Sequence, residues 1–175
     1  MRSARAAEFA EKAHAGQFRR GGKPYYSHVQ SVAAMVRAYT EDEDIIAAAY
    51  LHDTLEDCAV TPEELSVSFN PRVTALVQEL TNNDALLEQM GKEEYMVRKL
   101  SAMSAEALLI KLCDTLHNMS ETDRPTQAGT YARIQRRLQE SLPANWSSVH
   151  QALSQQILAI YSDEFGPAIP PAQPI

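Results

Sequence analysis

Glycine is scarce, with six in 175 residues, and alternating runs of strand-forming residues are almost absent. A β-rich architecture is thereby set aside. No apolar run approaches the roughly 20 residues that a membrane-spanning helix requires. The first twelve residues, Met-Arg-Ser-Ala-Arg-Ala-Ala-Glu-Phe-Ala-Glu-Lys, are amphipathic without a continuous apolar centre, so they do not read as a signal peptide. Cysteine is nearly missing. Cys58 and Cys113 are too few for a disulfide framework, and both fall in segments expected to be buried helix, which suits reduced thiols in a cytoplasmic protein. Basic residues are outnumbered, 16 Lys and Arg against 23 Asp and Glu, for a net charge of −7. That balance argues against wrapping a nucleic-acid polymer through its phosphates. It leaves room for a local basic pocket that takes a small phosphorylated ligand. A homodimer stays open as the assembly.

What is present is a row of amphipathic helices, with 45% hydrophobic residues and a length that makes one domain with a full core. Helices are expected over 4–15, 27–39, 44–57, 72–80, 92–103, 105–122, 128–141 and 147–163. Thr61-Pro62-Glu63-Glu64 opens a further one, with Thr as N-cap, Pro in the first turn and Glu closing a capping box. Asn70-Pro71 repeats the cap-then-proline device. Asn82-Asn83-Asp84 reads as a break, 85–91 is open between a helix and a mobile loop, and Pro125 ends an element. The expectation is an all-α bundle of about eight to ten helices over residues 1–165. Residues 166–175, with Pro at 167, 170, 171 and 174, make a mobile tail.

Chemistry concentrates in Tyr50-Leu-His-Asp-Thr-Leu-Glu-Asp-Cys58. On a continuous helix, neighbours three and four apart share a face, so Glu56 would lie over His52 and Asp53, and Asp57 over Asp53. The preceding Ile45-Ile-Ala-Ala-Ala-Tyr-Leu51 is apolar nearly all round, so carboxylates enter a buried setting and call for a cation. His28, in Lys23-Pro-Tyr-Tyr-Ser-His28, and Asp114, in Leu108-Leu-Ile-Lys-Leu-Cys-Asp-Thr-Leu-His-Asn-Met119, supply two more donors. Asp114 and Asn118 are four apart and share a face. The set His28, His52, Asp53 and Asp114 suits Mn²⁺, Fe²⁺ or Zn²⁺ better than Ca²⁺, and the lack of thiolate ligands argues against a structural zinc. Glu56 and Asp57 are either further ligands or solvated helix charges. Arg19, Arg20 and Lys23 flank a Gly-Gly pair as a basic cluster or a solvated loop. Lys111, Arg133, Arg136 and Arg137 are further cations, phosphate-facing or solvent-facing. Asn118 is a site amide or a surface one. His14 reads as a packing or capping residue, His117 as a residue behind the ligands, His150 as a surface residue, and Trp146 as core.

The order His28, His52-Asp53, Asp114 resembles that of the HD-domain metal phosphohydrolases. Three flanked stretches narrow it: Ala13-His-Ala-Gly-Gln-Phe-Arg-Arg-Gly-Gly-Lys-Pro-Tyr-Tyr-Ser-His28, Leu51-His-Asp-Thr-Leu-Glu-Asp57 and Lys111-Leu-Cys-Asp-Thr-Leu-His-Asn-Met119. Together they resemble the hydrolase domain of RelA/SpoT-type alarmone enzymes over roughly residues 3 to 142, as a stand-alone small alarmone hydrolase. The resemblance implies one Mn²⁺ held by His28, His52, Asp53 and Asp114. It implies Glu56 and Asp57 as the acid/base pair that handles water, and Asn118 as a group on the water or the sugar phosphate. Arg19, Arg20 and Lys23 would grip the base and phosphates, with Lys111 and Arg137 toward the distal phosphates. The implied reaction is that of a guanosine-3′,5′-bis(diphosphate) 3′-diphosphatase, giving pyrophosphate and a 5′-phosphorylated nucleoside. No synthetase or regulatory domain is expected to follow.

The chain departs from the family at Val29, where proline is usual, at Thr115, Ser120 and Glu121, where basic residues are frequent, and at Arg137, which replaces a tyrosine. These positions touch the nucleotide pocket, so guanosine and adenosine alarmones, (p)ppGpp or (p)ppApp, both stay open. The rival readings are another HD-domain nucleotide phosphohydrolase and a non-catalytic alarmone-binding module.

Overall fold

In the computed structural model, which describes residues 1–171, eleven helical segments account for the ordered elements. In chain order they are α1 (Arg2–Ala13), α2 (Tyr25–Arg37), α3 (Glu43–Leu51), α4 (Thr54–Asp57), α5 (Pro62–Ser68), α6 (Pro71–Leu80), α7 (Asp84–Met90), α8 (Lys92–Ala102), α9 (Ala105–Glu121), α10 (Pro125–Ser141) and α11 (Ser148–Phe165). Eight of them are nine residues or longer, in keeping with an all-α chain of eight to ten helices. Among the described residues the β component is a single isolated bridge between Phe18 and Pro24.

The chain forms two compact units. The first comprises Met1–Asn82 with Leu109–Lys111. Its centre is α3, which packs against α1, α2 and α6. Ile45, Ile46, Ala47, Ala48, Ala49 and Leu51 are all buried, so this helix has almost no solvent face. Each fully buried large aliphatic side chain of this kind contributes about 1.5–3 kcal/mol. The entry to α3 is fixed by Asp42, whose carboxylate accepts from the Asp44 N–H, and by Glu43 and Asp44 in the first turn, where acidic groups suit the helix dipole. The capping box at Thr61 and Glu64 forms as its spelling implies, and Asn70 accepts from the Val73 N–H ahead of Pro71.

The expected helix over 44–57 is not continuous. It stops at Leu51, and Asp53 takes φ −102°, ψ −1° before the single turn of α4 begins. Side chains take over the last carbonyls of α3: the Thr54 hydroxyl donates to Leu51 O at 2.7 Å, and His52 Nδ1 lies 2.8 Å from Ala49 O. Such side-chain donors satisfy groups that a continuing helix would have satisfied through N–H.

The second unit comprises Asn83–Leu108 and the chain from Leu112 onward. Here α10 packs on α8 and α11. The stretch 85–91, open between helix and loop in the sequence, is helical to Met90 as part of α7, with Asn83 accepting from the Leu86 N–H and Gly91 at φ 76° ending the helix. Pro125 starts α10 rather than ending an element, at a position where its missing N–H is not needed. His150 is a buried capping residue rather than a surface one: Nδ1 accepts from the Ser147 N–H and Nε2 lies 3.0 Å from Ala105 O. Its pKa falls, because burial disfavours the charged ring. In the tail, the Pro170 carbonyl accepts from Arg133 Nη1. Residues 172–175, and with them Pro174, lie outside the described residues.

Leu142 ends α10 at φ 42°, ψ 68°, the one non-glycine residue with positive φ among the described residues. A side chain there costs about 1–2 kcal/mol, and the greater freedom of glycine in the unfolded chain offsets part of that. Leu142 is 59% exposed, so little packing is at stake. Leu142→Gly is therefore expected to raise Tm by roughly 1–4 °C in a thermal melt. A lower Tm would mean that the leucine contacts outweigh the backbone strain.

Candidate functional site

Three of the expected ligands meet inside the first unit. His28 is on α2, one turn into the helix, and His52 and Asp53 occupy the break between α3 and α4. His28 and His52 are buried and their ring centroids lie 5.4 Å apart. Asp53 Oδ2 is 2.9 Å from His52 Nε2 and 3.7 Å from His28 Nε2.

The tautomer of His52 follows from its partners. A carbonyl only accepts, so the nitrogen facing Ala49 O carries the proton. Nε2 then faces the Asp53 carboxylate at 2.9 Å. That approach takes a positive charge, either a second ring proton or a metal ion between the two. Imidazole nitrogen and carboxylate oxygen are the donors a divalent transition ion takes, and the Nδ1–H to carbonyl bond is the usual outer support of a ligating histidine. The donor set fits a divalent cation.

Glu56 and Asp57 are exposed at the end of this cluster. Because the helix breaks at Asp53, Glu56 does not lie over His52 as it would on a continuous helix. Its carboxylate accepts from the Asn82 backbone N–H and from Asn82 Nδ2. Asp57 Oδ2 is 3.0 Å from the Tyr25 hydroxyl, which is also 2.8 Å from Asp53 Oδ2. Burial first, and the charge of Asp53 next, push the Tyr25 pKa far upward, so it stays a hydroxyl. The sequence signal for Tyr25 is its spacing, three residues before His28 on the same helix.

Arg19 and Lys23 close a tight turn: Arg19 N–H donates to Lys23 O and Gly22 N–H to Arg19 O, both at 2.8 Å, with Gly22 at φ 81°. A positive φ of this kind suits glycine. The Arg19 guanidinium lies 5.9 Å from the centroid of the Tyr25 ring. Arg20 and Lys23 are exposed on the turn, and Lys111 is half-buried on α9.

His14 is a packing residue, as its sequence context implies. Its ring stacks on Tyr25 at 4.8 Å, and Nδ1 is 2.8 Å from Gln17 Oε1 and 3.3 Å from Cys58 Sγ. Cys58 caps α4 and is half-buried rather than sitting inside a helix, while Cys113 is buried in α9. Burial raises both thiol pKa values, that of Cys113 to about 12, so neither is an activated nucleophile.

In the second unit, Asp114 is buried on α9 and Asn118 Nδ2 donates to its Oδ1 at 2.6 Å, as the four-residue spacing implies. His117 Nδ1 is 3.8 Å from Glu121 on the same helix. Arg137 donates to Glu94 at 2.7 Å and lies 3.7 Å from Glu93, while Arg133 donates to Glu93 at 2.8 Å. The Glu94 bond raises the Arg137 pKa further and lowers that of Glu94.

A family model described as HD domain matches residues 6–145. The chain belongs to the HD domain family. Within it, this HD domain is 40% identical over 118 residues to a probable GTP pyrophosphokinase of Mycobacterium leprae, a match covering 66% of this chain and 15% of that protein. It is 36% identical over 115 residues to the guanosine-3′,5′-bis(diphosphate) 3′-pyrophosphohydrolase of Haemophilus influenzae, covering 63% of this chain and 17% of that protein. The chain thus spans about a sixth of the length of the curated relatives it matches. Its fold is that of a solved structure described as a metazoan ortholog of SpoT that hydrolyzes ppGpp and plays a role in starvation responses. The TM-score is 0.77 at 24% identity, over 94% of this chain and 96% of that one. No helix among the described residues is long and apolar enough to cross a membrane.

Proposed function

We propose that this HD domain is a Mn²⁺-dependent hydrolase that removes the 3′-pyrophosphate from guanosine or adenosine alarmones in the cytoplasm. The observation that carries the reading is the convergence of His52 and His28 on Asp53, with Nε2 atoms 2.9 and 3.7 Å from its Oδ2, a nitrogen and oxygen donor set that suits a divalent ion. The Haemophilus influenzae relative, named as a guanosine-3′,5′-bis(diphosphate) 3′-pyrophosphohydrolase, supplies the substrate class.

In this reading Asp114 joins His28, His52 and Asp53 as the fourth ligand of one ion. When bound, the ion supplies Lewis-acid chemistry, lowering the pKa of water and polarising a 3′-phosphoryl oxygen. Glu56 and Asp57 orient a water molecule and take its proton, within reach of the ligands through the short α4 turn. Attack at the phosphorus next to O3′ breaks the O3′–P bond, and a proton passes to the departing O3′. The products are pyrophosphate and a 5′-phosphorylated nucleoside. Asn118, fixed on Asp114, positions the water or the ribose.

Arg19 binds the base or a phosphate, since a guanidinium both stacks and forks. Arg20 and Lys23 add positive charge on the same turn. Lys111 and Arg137 complete the cations for the distal phosphates, Arg137 by exchanging its Glu94 partner. Arg19→Ala is expected to raise KM by about 10-fold with kcat changed far less, as for a group that binds ground and transition states alike. An unchanged KM in steady-state kinetics removes Arg19 from the pocket.

Product analysis tests the whole reading. Purified protein with Mn²⁺ is incubated with guanosine and adenosine alarmones, and pyrophosphate release is the expected result. Phosphate released from nucleoside monophosphates, with no pyrophosphate from an alarmone, would make it another nucleotide phosphohydrolase. Tight alarmone binding without turnover would make it a binding module.

A further inference from the structure

Tyr25 stands in the first turn of α2, in contact with two imidazole rings. One face stacks on His14 at 4.8 Å with 24° between the planes, and its ring meets His28 edge-on at 5.7 Å. Its backbone N–H donates to Gln17 O at 2.9 Å. The same Gln17 donates through Nε2 to the Asp57 carbonyl at 2.6 Å, while its Oε1 lies 2.8 Å from His14 Nδ1. Residues 14–25 therefore hold Asp57 twice, by its main chain through Gln17 and by its carboxylate through the Tyr25 hydroxyl. That hydroxyl is also 2.8 Å from Asp53 Oδ2. One rigid phenol, its single proton shared between the two acceptors, thus spans the residue before α4 and the last residue of α4, and it meets the two carboxylates to which the proposed function gives different tasks.

We propose that Tyr25 is a positioning residue, whose hydroxyl sets the orientation of both the Asp53 and the Asp57 carboxylates. It touches neither water nor substrate in this role. The inference rests on the proposed function for the tasks of Asp53 and Asp57. An outer partner of a metal ligand typically accounts for about 10–100-fold in metal affinity or activity.

The test is Tyr25→Phe, which keeps the ring stacking and removes the hydroxyl. Mn²⁺ affinity is measured by calorimetry without substrate, kcat and KM with a guanosine alarmone, and Tm without metal. The expected result is Mn²⁺ affinity weakened about 10–100-fold and kcat lowered to a similar degree. KM should stay within about twofold, and metal-free Tm within roughly 2 °C. Wild-type affinity and kcat in the variant overturn the inference while leaving the proposed function standing. A slower variant whose metal-free Tm drops by more than about 5 °C also overturns it, in favour of a merely structural role. If the wild-type protein neither binds Mn²⁺ nor releases pyrophosphate, the proposed function and this inference fall together.

Discussion

Asp53→Asn is expected to abolish pyrophosphate release and Mn²⁺ binding together. The side chain keeps its shape, so Tyr25 still has an oxygen to donate to. What disappears is the negative charge that faces His52 Nε2 and His28 Nε2. A neutral amide is a poor substitute for a carboxylate ligand. Thermal shift separates this from a folding defect. A ligand present at 100 times its Kd stabilises the native state by about 2.7 kcal/mol, which for a chain of this size is roughly 5–11 °C. Wild-type protein should show that rise with Mn²⁺. The variant should not, while its metal-free Tm stays near or above that of the wild type. A variant that keeps both the metal-induced rise and its turnover would remove Asp53 from the ligand set.

Glu56→Gln is expected to lower kcat by about 10²–10⁴-fold with Mn²⁺ affinity retained, the usual range for losing a general base or acid. Glutamine can still receive the Asn82 backbone N–H, so the turn before α7 keeps its anchor. Stopped or steady-state assays across pH would show the rate loss at every pH at which the wild type is active. Full activity would mean that Glu56 serves Asn82 alone and that Asp57 handles water by itself. Asp57→Asn is the matching control, because Asp57 lies on the other side of the turn, against Tyr25.

Helix starts were legible where capping chemistry is spelled out locally. Thr61-Pro62-Glu63-Glu64 and Asn70-Pro71 behave as their sequences imply. The convergence of His28, His52 and Asp53 is legible for a different reason: histidine and aspartate inside apolar segments have few stable fates without a partner. The interruption at His52–Asp53 was not. Apolar periodicity from Ile45 to Leu51 gives no sign that Thr54 and His52 side chains will take the place of main-chain donors. The stretch that forms α7 stays open between helix and loop because it is short and none of its residues is buried. His150 was misplaced because a lone histidine near a chain end looks exposed, and its contact with Ala105 joins residues 45 apart. Tyr25 escaped for a related reason: its acceptors lie 28 and 32 residues away.

The kink between α3 and α4 places adjacent residues, His52 and Asp53, in the same small cluster, although neighbours on a regular helix diverge by about 100°. Both donors are therefore hinged to the end of one rod whose Ala47, Ala48 and Ala49 are sealed against their surroundings. Any sliding or rotation of that rod carries the pair as a unit. The tightness of alanine packing about one turn away thus becomes part of how accurately the two side chains are aimed.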